Sequence, residues 1–345
     1  MFSPALHARE RHEFYNGIRC QAMGGACIGV VNDETALLVN PAALGKLRDK
    51  YGTILDPEID ANNLGIEKIS KTPSLAPFQL EQVKSLLDAN LDKSYHARLQ
   101  LFPSFVARNF GIGLLGKYNL DARESADGAT IDTFYRDDMS FVIGYNLRFF
   151  DGRIKIGFNA KVLSRIEVDN ETLSTTGALD YQTIASEGVG VSTDVGIILT
   201  APWTFLPSIT AVVRDVGGTS FDKATGVRMT TATRPESIAQ DMDVAFSLFP
   251  IHSRYVRSSW TLQYNGILSL SQEDDKAKRM HGGMEFNFGD VFFVRGGYNQ
   301  RYWTAGVELA SEFFQIQASS YGEEIGTQTS SEEDRRYSVK LAWRF

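Results

Sequence analysis

Alternating residues in the last stretch of the chain separate by polarity. Tyr337, Val339, Leu341, Trp343 and Phe345 fall on one side of an extended strand, with Ser338, Lys340, Ala342 and Arg344 on the other. The pattern recurs in Tyr302 to Leu309, where Trp303, Ala305, Val307 and Leu309 oppose Thr304, Gly306 and Glu308. It recurs again in Ile154 to Arg165, where Ile156, Phe158, Ala160 and Val162 oppose Lys155, Gly157, Asn159 and Lys161. A period of two marks strands with two unlike faces. A soluble sandwich has such faces, and so does a membrane barrel, where lipid meets the apolar side and water or packed polar groups the other.

Connection lengths separate these two folds. Segments of this kind run from Lys50 to Ile59 and then from Leu99 to the end, about fourteen in all, an even number as single-chain bacterial barrels require. Short connections such as Asn109–Phe110, Phe150–Gly152 and Gly289–Asp290 alternate with long polar ones such as Asn62–Ser94, Asp121–Arg136 and Asp169–Gly188, and only the short Gln300–Arg301 connection breaks the scheme. Outer-membrane barrels keep short turns on the periplasmic side and long loops outside. A sandwich has no reason to hold that register. The predicted fold is all-β: a transmembrane antiparallel barrel of about 14 strands, whose lumen is too wide for wall side chains to fill.

One long connection carries a different period. After Pro77, suited to a helix's first turn, Leu80, Val83, Leu87 and Leu91 follow at near-helical spacing among polar residues. The spacing predicts a helical insertion at about residues 75–93 in an external loop. Its apolar face either caps its own barrel or receives an apolar ligand.

Composition narrows the function more than the fold. The chain has 345 residues and a net charge of −7, which argues against nucleic acid as a partner. No run approaches the roughly 18 apolar residues of a spanning helix. Met1 to Glu10 lacks the apolar core of a signal peptide, so an outer-membrane destination implies a leader already removed. Cys20 and Cys27 either pair or remain as two small buried thiols. No nucleophile elbow, phosphate loop or metal-ligand spacing is present, and His7, His12, His96, His252 and His281 are scattered. No enzyme activity, catalytic residue, metal or cofactor is expected. The acidic clusters Glu273-Asp274-Asp275 and Glu332-Glu333-Asp334 are expected to be solvated in external loops.

The N-terminal region does not read as a strand. It contains Met23-Gly24-Gly25-Ala26, then Asn32-Asp33, then Asn40-Pro41-Ala42. Their order resembles the N-terminus of the FadL family of outer-membrane barrels, long-chain fatty-acid transporters with PorV-like and TraF-like branches. Gly157-Phe158-Asn159-Ala160-Lys161 and Ala211-Val212-Val213-Arg214-Asp215-Val216-Gly217 resemble strands common in that family, with Asp where the second has Asn. A last strand ending in Phe345 also resembles the C-terminal signal of such barrels.

The resemblance implies a hatch at residues 1–48, folded back into a barrel formed by 49–345, with Met23, Gly24, Gly25, Asp33, Asn40, Pro41 and Ala42 in the plug. A hatch carboxylate, Asp33 or Glu34, is then expected to pair with an inward wall cation such as Lys155, Lys161, Arg295 or Lys340. The resemblance further implies passive uptake of hydrophobic, fatty-acid-like small molecules across the outer membrane of a Gram-negative bacterium. A ligand or detergent tail would meet Leu80, Val83, Leu87 and Leu91. A lateral opening would lie in the third strand at Gly111, Gly113 and Gly116, leading to the outer-membrane lipids. The alternative is a PorV-like scaffold or shuttle that binds partner proteins at its extracellular loops or periplasmic face without transport.

Overall fold

The computed structural model describes residues 10, 12–71, 76–177, 179–222, 228–229, 233–269, 275–327 and 330–345. Sixteen strand segments form one antiparallel sheet, and two of its strands are each broken once, which gives fourteen staves. They are β1 (Tyr51–Leu55 continued by Glu58–Asn62), β2 (Ser94–Leu101 continued by Ser104–Ala107), β3 (Phe110–Glu124), β4 (Thr130–Phe149), β5 (Ile154–Ser174), β6 (Ser186–Thr200) and β7 (Ser208–Arg214). The others are β8 (Asp241–Leu248), β9 (Val256–Tyr264), β10 (Met280–Phe288), β11 (Phe292–Asn299), β12 (Tyr302–Ala310), β13 (Phe314–Glu324) and β14 (Glu333–Arg344).

Each stave pairs with its sequence neighbours, and β14 pairs with both pieces of β1, so the sheet closes and has no free edge. Closure leaves no edge strand to be hydrated, which a wall in lipid requires. Phe345 completes the seam. Its N–H donates to Gly52 O at 2.9 Å, Gly52 N–H donates to Phe345 O at 3.1 Å, and its ring lies where a side chain at Gly52 would stand.

The faces follow the period of two. Trp303, Val307, Trp343 and Phe345 are exposed on the outside, while Thr304, Glu308 and Lys340 are buried inside. Phe149, Phe150, Trp203, Phe205, Tyr255 and Phe313 cluster about the short turns and their flanks and are exposed, as in an aromatic girdle at a membrane interface.

β4 and β5 run about twice as far as the apolar pattern indicates, so that much of the predicted Asp121–Arg136 and Asp169–Gly188 loops is strand. Within the predicted insertion the helix is shorter than expected. It spans Leu80–Asp88, Pro77 lies in a separate 3₁₀ turn, and Leu91 falls beyond the last turn. A second helix, Asn63–Lys71, precedes it. Glu273 and Asp274 lie outside the described residues. Asp275 is buried and pairs with Arg301, and Asp334 is buried and pairs with Arg336 at 2.7 Å, so neither is a solvated loop acid.

Candidate functional site

The N-terminal segment contains two short helices, α1 (Ile18–Ala22) and α2 (Ala36–Val39), and a 3₁₀ turn, Pro41–Lys46. Almost all of it is buried. Its partners are inward-facing wall residues from β3 round to β14, which places it in the lumen.

Glycines on the wall give it room. Gly157 of β5 and Gly196 of β6 are direct cross-strand partners. A Cβ on Gly157 would collide with Pro41 and Ala42, and one on Gly196 with the Asn40 side chain. Asn40 is thus seated in a notch. Its Oδ1 accepts from Ala42 N–H at 3.0 Å and its Nδ2 donates to Ile28 O at 2.8 Å. Asn146 and Asn159, one step along the wall, donate to Ala42 O at 3.1 Å and Leu37 O at 3.0 Å. These amides satisfy turn carbonyls that water would otherwise have to reach.

A second notch receives Met23 and Gly24. Gly283 of β10 and Gly297 of β11 are also direct partners. Met23 fills the space over Gly283, and a Cβ on Gly297 would stand 2.5 Å from Gly24 N. Gly24 and Gly25 both have positive φ, so the chain reverses there as only glycine does readily. The Cys20–Cys27 disulfide closes this reversal. Thr304 Oγ1 donates to Ala22 O at 3.0 Å. Gly297→Ala is expected to unseat this loop while sparing the barrel. The check is faster protease nicking between Cys20 and Cys27 in a variant that keeps wild-type heat-modifiable migration on gels.

Charge fixes the rest. Glu34 accepts two bonds from Arg344 at 2.7 and 2.8 Å and lies 3.6 Å from Lys340. Asp33 pairs within the segment, with Arg19 at 2.8 Å, and Arg19 reaches the wall at Glu285, also 2.8 Å away. Burial raises the Asp33 pKa, but the Arg19 guanidinium and the Thr35 hydroxyl outweigh it and hold the carboxyl well below its usual range. Of the other inward cations, Arg295 pairs with Glu285 and Glu308, Lys161 with Asp194 at 2.7 Å, and Lys155 with the Gly152 carbonyl. Lys117 donates to Glu13 O at 2.7 Å and holds the start of the segment against β3.

Above the plug lies a polar cavity of about 50 Å³, lined by His12, His96, Arg98, Lys117, Arg136 and Glu323 among others. That is space for water rather than an apolar ligand. Glu10, His12 and Asp121 converge beside it. Arg336 already pairs with the two carboxylates, bonded to both Glu10 oxygens at 2.7 and 2.6 Å and 3.5 Å from Asp121, so the cluster suits a guanidinium rather than a metal ion. At the long-loop end, Leu80, Val83 and Leu87 are wholly buried with Tyr95, Leu120 and Ile131, while Leu91 is 41% exposed. Tyr95 and Leu120 alternate with the lumenal His96 and Asn119, so the helix packs on the outer face of the upper wall rather than capping the mouth.

The wall itself is broken at one place. β1 and β2 pair from Tyr51↔Val106 to Thr53↔Ser104 and resume at Glu58↔Gln100. Between lie Asp56-Pro57 and Phe102-Pro103. Neither proline has an N–H to give the ladder. The outer neighbours hold on, with Leu341 N–H donating to Pro57 O at 3.1 Å and Leu114 N–H to Pro103 O at 2.9 Å. The gap is bridged by the Asp56 carboxylate, which accepts Phe102 N–H at 2.6 Å and lies 3.1 Å from Lys340. A chain of contacts therefore runs from Glu34 of the plug through Lys340 and Asp56 to the backbone of Phe102.

β3, where the glycines pointed, is paired without interruption to β4, while on the β2 side its ladder stops at Gly113 and resumes at Gly116. Its glycines border the break. Gly113 accommodates the Phe102 ring, which would lie 2.6 Å from a Cβ there, and Gly111 faces Leu37 and Leu44 of the plug. Gly116 pairs with Leu101 and leaves open space beside the break. Inside the break, Phe102 packs with Tyr15, Val106 and Leu115. Outside, Ile54, Leu55, Phe105 and Leu114 are exposed.

No family model matches the chain, and no curated protein sequence matches it. Solved structures do. The CymD monoaromatic hydrocarbon channel is 11% identical, with 95% of this chain and 96% of that one covered and a TM-score of 0.54. The Pseudomonas putida toluene transporter TodX is 9% identical, with 98% and 99% covered and a TM-score of 0.52. A Pseudomonas aeruginosa FadL homologue is 8% identical, with 98% of both chains covered and a TM-score of 0.50. The chain has the fold of FadL-like outer-membrane barrels.

Proposed function

We propose that the protein is a gated outer-membrane channel that passes small hydrophobic molecules inward and releases them sideways into the bilayer. The N-terminal segment is its hatch. The observation that carries this reading is the wall break between β1 and β2. It joins an apolar inner surface at Phe102, Tyr15 and Leu115 to an apolar outer surface at Ile54, Leu55 and Phe105. A sideways exit serves only cargo that dissolves in lipid, because a polar solute leaving there loses its hydration. The similar solved barrels described as hydrocarbon and toluene channels agree with such cargo, and monoaromatic rings are the probe of choice beside fatty acids.

The structure is the closed state. Its lumen holds charged pairs above the hatch. Passage requires the charged pairs above the hatch to part and the Glu34–Lys340–Asp56 contacts to give way at the wall. A PorV-like scaffold shares the closed lumen, but has no use for a wall break latched to a plug. The test is uptake. Cells making the chain are expected to take up a labelled monoaromatic hydrocarbon faster than cells carrying an empty vector. Equal rates, with the chain shown to be in the outer membrane, would favour the scaffold.

A further inference from the structure

Four glycines meet in the middle of β10 and β11. The inward two, Gly283 and Gly297, are explained by Met23 and Gly24 of the hatch. The outward two, Gly282 and Gly296, are not explained by the fold. Neither has positive φ. A Cβ on Gly296 would find its nearest neighbour, Thr304 O, at 3.8 Å, and one on Gly282 would meet the flexible end of Leu262 at 3.3 Å and Thr261 O at 3.9 Å. Neither position is closed to a side chain by backbone, and glycine weakens a strand interior. Elsewhere the outward face of this wall carries large side chains: Trp260, Leu262, Met284 and Tyr298 are all exposed.

The missing side chains leave a diagonal depression. Gly282 lies between Leu262 and Tyr298, and Gly296 one register step on, between Met284 and Ala305. The resulting apolar groove measures about 540 Å³ and is walled by Phe246, Leu248, Trp260, Leu262, Met284 and Tyr298. Pockets that hold small molecules span roughly 300–1,000 Å³. Its floor is a single thickness of backbone, with the hatch loop directly behind.

We propose that this groove seats one acyl chain of a bilayer lipid. It opens on the lipid-facing side of a membrane wall, where hydrocarbon tails are the surrounding medium. A tail is narrow and flexible enough to follow a groove one strand wide, whereas a second barrel presents a convex wall that does not enter it. Lipid tails are as apolar as the wall, so burial alone does not hold the chain there. Fit does, through the many close contacts that a groove offers and a flat wall does not.

The test uses two single-tryptophan proteins in otherwise full-length chain. One keeps Trp260, with Trp203→Phe, Trp303→Phe and Trp343→Phe. The other keeps Trp343 alone. Each is reconstituted in dibrominated phosphatidylcholine, whose bromines quench nearby tryptophan, and then washed into bromine-free detergent. The expected result is that Trp343 recovers its fluorescence while Trp260 stays quenched, and that Gly282→Leu with Gly296→Leu lets Trp260 recover too. If the leucine pair fails to fold, the alanine pair replaces it. Full recovery of Trp260 without the substitutions, persistent quenching with them, or a dimer mass in native mass spectrometry would overturn the proposal.

Discussion

Without residues 1–48 the barrel is expected to conduct ions steadily in planar bilayers, while the full chain stays closed. The segment fills the lumen with a continuous apolar cluster, from Tyr15 through Met23, Ile28 and Leu37 to Leu47, and few of its side chains reach solvent. The polar wall behind it, with Asn146, Asn159, Lys340 and Arg344, then faces water and no longer needs the plug to satisfy it. The barrel should survive, because its fourteen staves close on each other and not through the segment. Current in the deletion variant rises from baseline to that of an open pore. A folded but silent deletion would mean that the charged pairs above the plug, not the plug, close the lumen. A milder variant, Glu34→Gln with Arg19→Gln, removes the ion pairs with Arg344, Lys340 and Glu285 and is expected to give brief openings.

Lys340→Met is expected to open the wall without opening the pore. Lys340 lies 3.1 Å from Asp56 and 3.6 Å from Glu34. Glu34 keeps Arg344 after the substitution, so the hatch stays in place. Asp56 is left with only the Phe102 N–H. A buried charge deprived of its partner typically costs about 3–5 kcal/mol, and here the cheapest relief is for Asp56 to turn out of the gap it bridges. Hydrogen exchange should quicken at Asp56 and Phe102 but not in β10 or β11, and apolar ligand flux should rise several-fold with no gain in ion current. A matching rise in ion current would show that Lys340 anchors the plug rather than the wall.

The two predictions rest on features that were unequally legible in the sequence. Strand number, closure and face assignment follow from the period of two and the alternating loops, because lipid on one side imposes that contrast. The contrast ends where the lipid ends. In the upper parts of β4 and β5 outward positions such as Thr133, Asp137 and Asn170 no longer need to be apolar, so those extensions read as loop. The wall break did leave a signal: Pro57 and Pro103 each interrupt a run that otherwise reads as strand, and proline inside a central strand marks a break. What the sequence hides is that the two prolines face each other, which depends on register. The glycines of β3 were visible, but their purpose was not. Gly113 makes room for Phe102, a residue of another strand.

The plug shows the same limit. Asn40-Pro41-Ala42 was readable as a turn, yet the Gly157–Gly196 notch that holds it appears only when β5 and β6 are laid side by side. Whether Cys20 and Cys27 pair was open until the reversal at Gly24 and Gly25 brought them together. Of the hatch carboxylates, Glu34 takes the wall cations while Asp33 stays within the segment, a choice that no spacing rule gives. The Leu80, Val83 and Leu87 face was legible as apolar, and the structure packs it against Tyr95 and Leu120 on the outer face of the upper wall, leaving Leu91 exposed.

Sideways release at the β1–β2 break is the central claim, and stapling that break tests it most directly. Thr53 and Ser104 are direct partners at its edge, both buried on the inner side. Cysteines in their place are within reach of a disulfide, since paired strand residues have Cα atoms about 5.5 Å apart. The measurement is uptake of a labelled monoaromatic hydrocarbon by cells carrying Thr53→Cys with Ser104→Cys, before and after a reductant, with the unmodified chain treated alike to allow for Cys20–Cys27. The account predicts uptake near the empty-vector rate when stapled and near that of the unmodified chain when reduced. Uptake that is unchanged by a staple verified by mass spectrometry would contradict it.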